Sequence, residues 1–478
     1  MRFHVVGMGA IGCLVSFHIR RALDLAHSVT VIHKLPRQVE EAKRAGNSVK
    51  LEHSGVVLSA NGFRNQCYNN SATEPTTPRS ASSPGPARRS RTVLGPRISQ
   101  RRVPEASKSA PEVFFDGLKQ SVKDLFSPRA AKLLRTGRFW SDRGPRQVET
   151  SRPARRRSRL PTSSTTLEPI DTLFVCVKAQ ATLETIRGLL PWLTPKSTIV
   201  LLQNGMGVYD ELVDNLFPNP LQRPHIITGI ITHGAWIKSY LHIVHAGIGK
   251  IDVGIMPDGN NRDFEASYNN PNNVDLFRTP RLSLSDIVQK GDSEDRYRTL
   301  REALEVLLSM KELQISWLPI YDVLMAQRRK LVVNAVINPI TAILDCKNGQ
   351  VLKHPEGRRL CRSICKEAEA VFRAQWDAEH REAGVMDMQI FPPELTASSL
   401  EETCVSVAET TAQNVSSMLA DVRMGRPTEI KYMTGYVLGL GKKYGVPTLT
   451  NRTLYNLIRL RTKLNVSSDS ISASTAAT

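Results

Sequence analysis

The amino-acid sequence predicts an α/β domain that is followed by an all-α domain. Short apolar runs alternate with helical patterns over residues 1–318. After the pair Leu318-Pro319, every long pattern has the helical period, which predicts a second domain over residues 319–464. Residues 65–164 interrupt the first domain and are rich in Ser, Pro, Arg and Thr. The fold class is therefore α/β plus all-α, with a long insertion in the α/β part.

The first strand, Arg2–Val6, leads directly into a glycine-rich turn and then into a helical pattern. In this GxGxxG arrangement the first glycine permits a tight turn, the second lets the backbone approach a pyrophosphate, and the third allows close helix packing. The helix N-terminus attracts the phosphate charge. The pattern predicts a Rossmann-type dinucleotide-binding domain; the alternative is a glycine-rich turn without a ligand. The expected cofactor-binding residues are Gly7, Gly9, Ala10, Ile11 and Gly12.

The second strand, Val29–His33, ends where an NAD-preferring protein usually carries Asp or Glu. This chain has Lys34 and Arg37 there instead. No carboxylate is available for the ribose hydroxyls, and two cations are available for a 2′-phosphate. We therefore predict NADP (NADPH) as the cofactor, with Lys34 as a contact; the alternative is a solvated basic loop.

Further apolar runs predict the rest of the sheet. Residues 51–58 are expected to form a third strand or a hairpin, and residues 171–177 a central parallel strand. Residues 226–236 and 242–254 are expected to be its last strands. In the second domain, residues 321–338, 358–379 and 399–422 have helical patterns, and the tail 465–478 is expected to be flexible.

Two polar residues follow strands of this sheet: Lys178 after residues 171–177, and Asn204 after residues 197–202. In open α/β sheets, ligands bind outside the carboxyl ends of the strands. Both residues are therefore expected to contact the cofactor. The alternative is that they are ordinary turn residues, since Asn-Gly is a common turn pair.

The basic charge of the chain is concentrated in the insertion. The formal net charge is +19, and residues 61–165 hold 22 Lys and Arg against 7 Asp and Glu, which leaves +4 for the other 373 residues. A segment of this composition cannot bury enough surface to offset its conformational entropy, so we expect disorder. We favour a solvated insertion without a specific role. Binding to RNA, an acidic protein or a lipid surface is the alternative, as is a wrongly included exon.

Cysteine usage and hydropathy limit the class of protein. The seven cysteines are an odd number and show no CxxC pair, which predicts reduced thiols inside the cell. Cys361 and Cys365 lie four residues apart, but no Cys or His accompanies them at zinc-like spacing, so no metal site is expected. The sequence contains no run of 18 apolar residues, so no membrane span is expected. We expect a cytoplasmic protein, with mitochondria as the alternative, and no presequence ahead of the first strand.

In the second domain, Lys330, Asn334 and Asn338 recur every fourth residue within an apolar run. On a helix they form one polar stripe, and an unpaired buried ammonium or amide is costly. The alternative is a lysine that reaches solvent and amides that cap loops. Asn414 and Ser417 begin a second predicted stripe, for which the alternative is a solvated helix face.

These polar groups suit the reduction of a ketone by a nicotinamide. The oxygen becomes an alkoxide, and a positioned acid must protonate it. A lysine whose pKa is lowered by burial is a competent acid near neutral pH. Lys330 suits that role, and Asn334, Asn338, Ser417 and Glu429 suit substrate binding.

The motifs together resemble the ketopantoate reductases (2-dehydropantoate 2-reductases). The similarity covers nearly all of the chain except residues 65–165, the loop near 256–296 and the tail. It rests on the N-terminal GxGxxG, Gln203-Asn204-Gly205-Met206-Gly207, Lys330-x-x-x-Asn334-x-x-x-Asn338-Pro339, Ser416-Ser417-Met418-Leu-x-Asp421 and Thr428-Glu429-Ile.

The resemblance implies an active site between the two domains and NADPH-dependent reduction of 2-dehydropantoate to pantoate, a step toward pantothenate and coenzyme A. By motif position, Lys330 and Glu429 are the catalytic residues, with Glu429 binding the substrate hydroxyl. Lys34, Lys178 and Asn204 resemble cofactor contacts. The implied substrate-binding residues are Asn334, Asn338, Asn414 and Ser417.

Several alternatives remain open at this level. Related reductases accept other 2-oxo acids, so the substrate is expected to be a small 2-oxo acid whose identity stays open. A family member without catalysis, acting as an RNA- or protein-binding factor through the insertion, is a second alternative. Assembly as a homodimer also stays open. The insertion falls between the third and fourth strands of the nucleotide-binding domain, and long surface loops add little closure entropy.

Overall fold

The structure is a computed structural model. It describes residues 1–68, 168–269, 281–288, 294–382 and 390–475, without the side chains of Glu294 and residues 465–475. Most of the predicted insertion, residues 69–164, lies outside this part of the chain, and so do parts of the loop near 256–296. Among the helices of the described residues, none has the length and apolar content that a membrane crossing needs.

The fold confirms the predicted class: a mixed sheet with helices precedes a helical half. The strands are β1 Arg2–Val6, β2 Ser28–His33, β3 Val49–His53, β4 Val56–Ala60, β5 Arg64–Cys67, β6 Thr172–Val175, β7 Thr198–Leu201, β8 His225–Ile231, β9 Gly234–Ser239, β10 His242–Gly247, β11 Ile251–Ile255 and β12 Ile315–Trp317. The helices are α1 Ala10–Ala22, α2 Pro36–Arg44, α3 Ala179–Leu189, α4 Val208–Asn215, α5 Ala266–Asn269, α6 Glu294–Ser309, α7 Ile320–Leu344, α8 Pro355–Glu382, α9 Ala397–Thr410, α10 Ser417–Arg423, α11 Thr434–Tyr444 and α12 Leu449–Thr475.

The main sheet has the strand order β12-β11-β8-β7-β6-β1-β2-β5. Neighbouring strands from β8 to β5 are parallel, and β11 runs antiparallel to β8. Val6 lies opposite Ile32 and Val175, and Val175 lies opposite Leu201. The central strands therefore end at one common edge. The segments that carry the predicted cofactor residues all begin there.

A second sheet, with the order β4-β3-β10-β9, covers the other side of α1. We expected β9 and β10 to belong to the main sheet, and this prediction is wrong. The reason lies in α1, whose residues 12–20 are all buried. A helix with no exposed side needs a second layer to exclude water.

The predicted strand or hairpin at residues 51–58 is a two-residue hairpin that joins β3 to β4. Its turn residues, Ser54 and Gly55, both have positive φ, as type I′ hairpins require. By contrast, residues 65–67 were assigned to the insertion, and this boundary is wrong. They belong to β5, which pairs with β2 at the edge of the main sheet.

Three boundaries in the helical half differ from the prediction. Helix α7 continues through Pro339 to Leu344, because its apolar surface is buried all round and packing outweighs one lost backbone hydrogen bond. The predicted helix at 399–422 is two helices, α9 and α10, since Ser416 caps a new start. Residues 465–475, expected to be flexible, extend α12; they contain no Pro or Gly that would end a helix.

Candidate active site

The glycine turn between β1 and α1 has a geometry that only glycine allows at two positions. Gly7 has φ +96°, and a Cβ on it would lie 2.3 Å from the Val177 nitrogen. A Cβ on Gly12 would lie 1.9 Å from the Gly7 carbonyl oxygen. At Gly9, however, a Cβ would meet no described atom within 4 Å. The turn thus packs tightly against the sheet and leaves open space at Gly9, beside the N-terminus of α1, where a pyrophosphate fits.

The end of β2 presents two cations. Lys34 and Arg37 are exposed, and among the described residues neither side chain has a hydrogen bond or ion pair. His33, in contrast, is buried between Asn65 at 2.7 Å and the Tyr240 hydroxyl at 2.8 Å. Burial lowers the pKa of His33 and so disfavours its charged form. The charge available to a phosphate here is that of Lys34 and Arg37.

Lys330 projects from the middle of α7 toward the ends of two strands. Its Nζ donates to Asn204 Oδ1 at 2.9 Å and to the Ile231 carbonyl oxygen at 2.5 Å. Desolvation lowers the pKa of Lys330 to about 8, and the nearby Glu429 carboxylate opposes that shift. Both hydrogen-bond acceptors are uncharged, so they orient the ammonium without a full ionic partner. The amine can therefore give up a proton near neutral pH.

The loop that carries Asn204 is fixed to the helical half by its own backbone. The Met206 amide donates to the Tyr432 carbonyl oxygen at 2.8 Å. Gly205 has φ +87°, and a Cβ on it would lie 2.4 Å from the same carbonyl oxygen. This close approach explains the Asn-Gly pair: glycine lets the loop reach Tyr432, and Asn204 is thereby held against Lys330.

Glu429 lies at the N-terminus of α3. Its Oε1 accepts from the Ala179 amide at 3.0 Å, and the side chain is 7% exposed. Burial raises the pKa of Glu429, while the Ala179 hydrogen bond and the Lys178 and Lys330 charges lower it. The structure therefore brings four of the predicted residues together: Lys330, Asn204, Lys178 and Glu429.

Asp421 is a fifth member of this group, and the sequence analysis did not assign it to the site. It is 3% exposed and forms ion pairs with Lys178 and, at 3.1 Å, with Arg426 Nη2. Its signals in the sequence were its place in the motif Ser416-Ser417-Met418-Leu-x-Asp421 and its spacing of four residues from Ser417. That spacing also occurs on solvated helix faces, so it could not identify the lysine partner.

The predicted substrate-binding amides follow Lys330 along α7. Asn334 is partly exposed, and among the described residues its side chain has no hydrogen-bond partner. Asn338 is buried and donates to the Met433 sulfur at 3.6 Å. Both therefore lie on the face of α7 that carries Lys330, one and two turns further on.

Asn414 and Ser417 lie at the start of α10, and both are exposed. Ser416, not Ser417, caps this helix: its Oγ accepts from the Leu419 amide at 3.1 Å. Within the described part of the chain the Ser417 hydroxyl has no partner. Asn414 precedes the helix, so the predicted stripe from Asn414 to Ser417 on one helix is wrong. The polar residues nevertheless cluster at one helix end.

A buried amide beside Asn414 was also missed by the sequence analysis. The Asn348 backbone N–H donates to the Asn414 backbone carbonyl oxygen at 3.1 Å, and the side-chain Nδ2 of Asn348 donates to the Thr411 hydroxyl. Its Oδ1 is buried without a described partner. Asn348 lies in a short connection, where no periodic pattern marks a functional side chain.

Comparisons with known proteins point to one family. The family model "Ketopantoate reductase PanE/ApbA" matches residues 129–258, and "Ketopantoate reductase PanE/ApbA C terminal" matches residues 322–462. The 2-dehydropantoate 2-reductase of Yersinia pestis is 31% identical over 287 residues, which are 60% of this chain and 73% of that protein. The enzyme of the same name from Saccharomyces cerevisiae is 26% identical over 313 residues, 62% of this chain and 75% of that one.

Solved structures share the fold at low identity. A PanE/ApbA family ketopantoate reductase from Ralstonia eutropha aligns with a TM-score of 0.55 and 16% identity, over 97% of this chain and 99% of that one. A ternary structure of D-mandelate dehydrogenase with NADH and anilino(oxo)acetate aligns with a TM-score of 0.57 and 14% identity, over the same shares.

Proposed function

The chain belongs to the ketopantoate reductase family, an oxidoreductase family that uses a nicotinamide cofactor, and from that premise we propose that it reduces 2-dehydropantoate to pantoate with NADPH. The product serves the synthesis of pantothenate and coenzyme A. The observation that carries the proposal is Lys330, whose pKa of about 8 and two neutral acceptors make it a poised proton donor.

The residues around the glycine turn fit NADPH. The open space at Gly9 accommodates the pyrophosphate, and Lys34 at the end of β2 provides a cation for the 2′-phosphate. Gly7 and Gly12 shape the turn, and Ala10 and Ile11 form the start of α1 above it. Lys178 and Asn204 follow β6 and β7 at the same edge of the sheet, where they complete the cofactor site.

When bound, the nicotinamide supplies a hydride to the carbonyl carbon of the substrate. Lys330 donates its Nζ proton to the oxygen on which negative charge develops. Asn204 and the Ile231 carbonyl oxygen keep the ammonium at a fixed position during this transfer. A donor that needs no reorganisation contributes more to catalysis than one that must first be oriented.

The substrate binds along the face of α7. Asn334 and Asn338 hold it one and two turns beyond Lys330, and Ser417 with Asn414 receives its carboxylate at the start of α10. Glu429 accepts the hydrogen bond of the substrate hydroxyl through the carboxylate oxygen that Ala179 leaves unused. In this assignment residues 1–318 form the cofactor domain and residues 319–464 the catalytic helical domain.

The direct test is NADPH oxidation, followed by absorbance, with the purified full chain and 2-dehydropantoate. NADH and other small 2-oxo acids, such as pyruvate and phenylglyoxylate, are measured in parallel. We expect turnover that is specific for NADPH and 2-dehydropantoate. Faster turnover of another 2-oxo acid would overturn the substrate assignment, and NADPH binding without turnover of any oxo acid would overturn the enzymatic function.

A further inference from the structure

Three buried cysteines, none of which is assigned to catalysis, meet in the core of the helical half. Cys361 and Cys365 lie one turn apart on α8, and Cys404 comes from α9, which packs against α8. All three side chains are 0% exposed. The Sγ atoms of Cys361 and Cys365 are 4.0 Å apart, and all three lie within 4.8 Å of one another.

This grouping is unusual within the described part of the chain. No other set of three His, Cys, Asp or Glu residues there brings its ligand atoms so close together. The sequence showed only the pair on α8, since Cys404 is separated from Cys365 by the loop between the helices. The packing of α9 supplies the third thiol that the linear spacing lacks.

The spacing of the sulfur atoms matches a triangular coordination site. With a metal–sulfur bond of about 2.3 Å, three sulfurs around one ion in a plane lie about 4.0 Å apart. The distance between Cys361 and Cys365 already has this value. Only small side-chain adjustments of Cys404 are needed to complete the triangle.

The surroundings decide which ion fits. Thiolates select soft ions, chiefly Cu(I), zinc and iron–sulfur clusters. Structural zinc sites are almost always four-coordinate, and three-ligand zinc sites take a water. Here the cysteines belong to an apolar core with Ile364, Ala368 and Leu400, and no further Cys and no His, Asp or Glu of the described residues joins the group. We propose that Cys361, Cys365 and Cys404 bind one Cu(I) ion in three-coordinate sulfur geometry.

An ion pair bridges the two helices that carry the cysteines. Arg362 and Glu401 join the same two helices, with Nε–Oε2 at 3.0 Å and Nη2–Oε1 at 3.2 Å, and Arg362 is largely exposed. Exposed pairs of this kind contribute little to stability. Each cysteine that coordinates as thiolate releases one proton, and the adjacent guanidinium offsets part of the remaining negative charge.

The test is anaerobic titration of the reduced full chain with Cu(I) in competition with bicinchoninate. We expect one equivalent of Cu(I) to be retained, with ultraviolet thiolate-to-copper absorption, by the unmodified protein and by Cys346→Ala, which removes a cysteine outside the cluster. Cys404→Ala should lose the bound ion. Near-ultraviolet circular dichroism of each variant shows whether it is folded.

X-ray absorption of the copper-loaded unmodified protein gives a second readout that needs no variant. Three sulfur neighbours at about 2.3 Å are expected. The proposal is wrong if bicinchoninate removes all copper, if a folded Cys404→Ala or Cys361→Ala variant retains it equally, or if nitrogen or oxygen neighbours dominate. Retention of Zn(II) in place of Cu(I) in the same competition would also overturn it.

Discussion

Lys330 is held by a side-chain amide and a backbone carbonyl, and neither acceptor carries a charge. The nearest opposing charge, Glu429, is itself bonded to the Ala179 amide. Desolvation therefore dominates the titration of the lysine, which is the condition under which an ammonium becomes an acid near neutral pH.

Replacement of this lysine tests its role directly. Lys330→Ala should lower kcat by about 100-fold or more, the range expected when a general acid is lost. NADPH affinity, measured by fluorescence titration, should change little, because the proposed cofactor contacts are other residues, at the sheet edge. Activity within a few-fold of the unmodified enzyme would rule out the assignment.

The pH dependence follows from the same group. The pKa of Lys330 is lowered to about 8, so the protonated acid is present below this pH and is lost above it. We expect kcat to be level on the acid side and to fall about tenfold per pH unit well above 8. In Lys330→Arg the guanidinium does not titrate in this range, and the same inflection in that variant would assign it to another group.

We propose that Lys34 sets the cofactor preference. Lys34→Asp should shift the preference from NADPH toward NADH by about 1–3 kcal/mol, because a charge-assisted phosphate contact is replaced by repulsion. Lys50→Asp, an equal charge change on an exposed residue of β3, is the control. The measurement is the ratio of kcat/KM for the two cofactors. Equal shifts in both variants would show a general charge effect.

At the scale of residues, the sequence predicts correctly those groupings that depend only on spacing along one helix. Lys330, Asn334 and Asn338 share a helix face because the helical period places them there. The acceptor at Ile231 is a backbone carbonyl 99 residues away, and nothing in its residue type marks it. Asp421 and Asn348 were missed for the same reason: their partners are set by tertiary packing.

At the scale of elements, two glycines of the turn between β1 and α1 are expected to have different roles: Gly7 is needed for folding, and Gly9 for binding the cofactor. Gly9→Ala should fold normally, since its φ of −76° suits any residue and a Cβ meets open space. It should weaken NADPH binding about tenfold or more, because the methyl group occupies the space proposed for the pyrophosphate. Gly7→Ala should instead lower the melting temperature, since it combines positive φ with a backbone clash.

Thermal denaturation and NADPH titration of both variants check this contrast. A stable Gly7→Ala protein, or a Gly9→Ala protein with unchanged NADPH affinity, would contradict it.

Sequence patterns predict that a segment is a strand better than they predict which sheet the strand joins. The parallel strands were predictable because buried strands read as continuous apolar runs. Strands β9 and β10 also carry apolar residues, and assignment to one sheet or another depends on what covers α1. The alternation of residues in a strand defines its faces but not its partner strand.

At the scale of the whole molecule, the sheet-containing half and the helical half are joined at the site itself. Glu429 binds the Ala179 amide, Asp421 pairs with Lys178, and the Met206 amide binds the Tyr432 carbonyl. These contacts all join the carboxyl edge of the sheet to residues 421–432. A change in the relative position of the halves would therefore act directly on Lys330 and Asn204.

None of the residues named in these contacts belongs to the basic segment, which leads to a prediction for the whole chain. Replacing residues 69–167 by a flexible linker of about 12 residues, long enough to cross the sheet, should leave kcat/KM within about threefold. The absorbance assay with 2-dehydropantoate and NADPH measures this, and circular dichroism verifies folding. A folded but inactive variant would show that the segment takes part in the reaction. Nucleic-acid binding that disappears with the deletion would show a separate role for it.

The place where the chain leaves β5 has a practical consequence. β5 is an edge strand of the main sheet, next to β2 and at the opposite end from β12. A polypeptide that leaves an edge strand displaces no hydrogen-bonded neighbour, so extra residues there do not disrupt the hydrogen bonds between the strands of the sheet. The same junction is therefore the natural point for grafting a fluorescent protein or an affinity handle into the interior of this chain, with both of its ends left free.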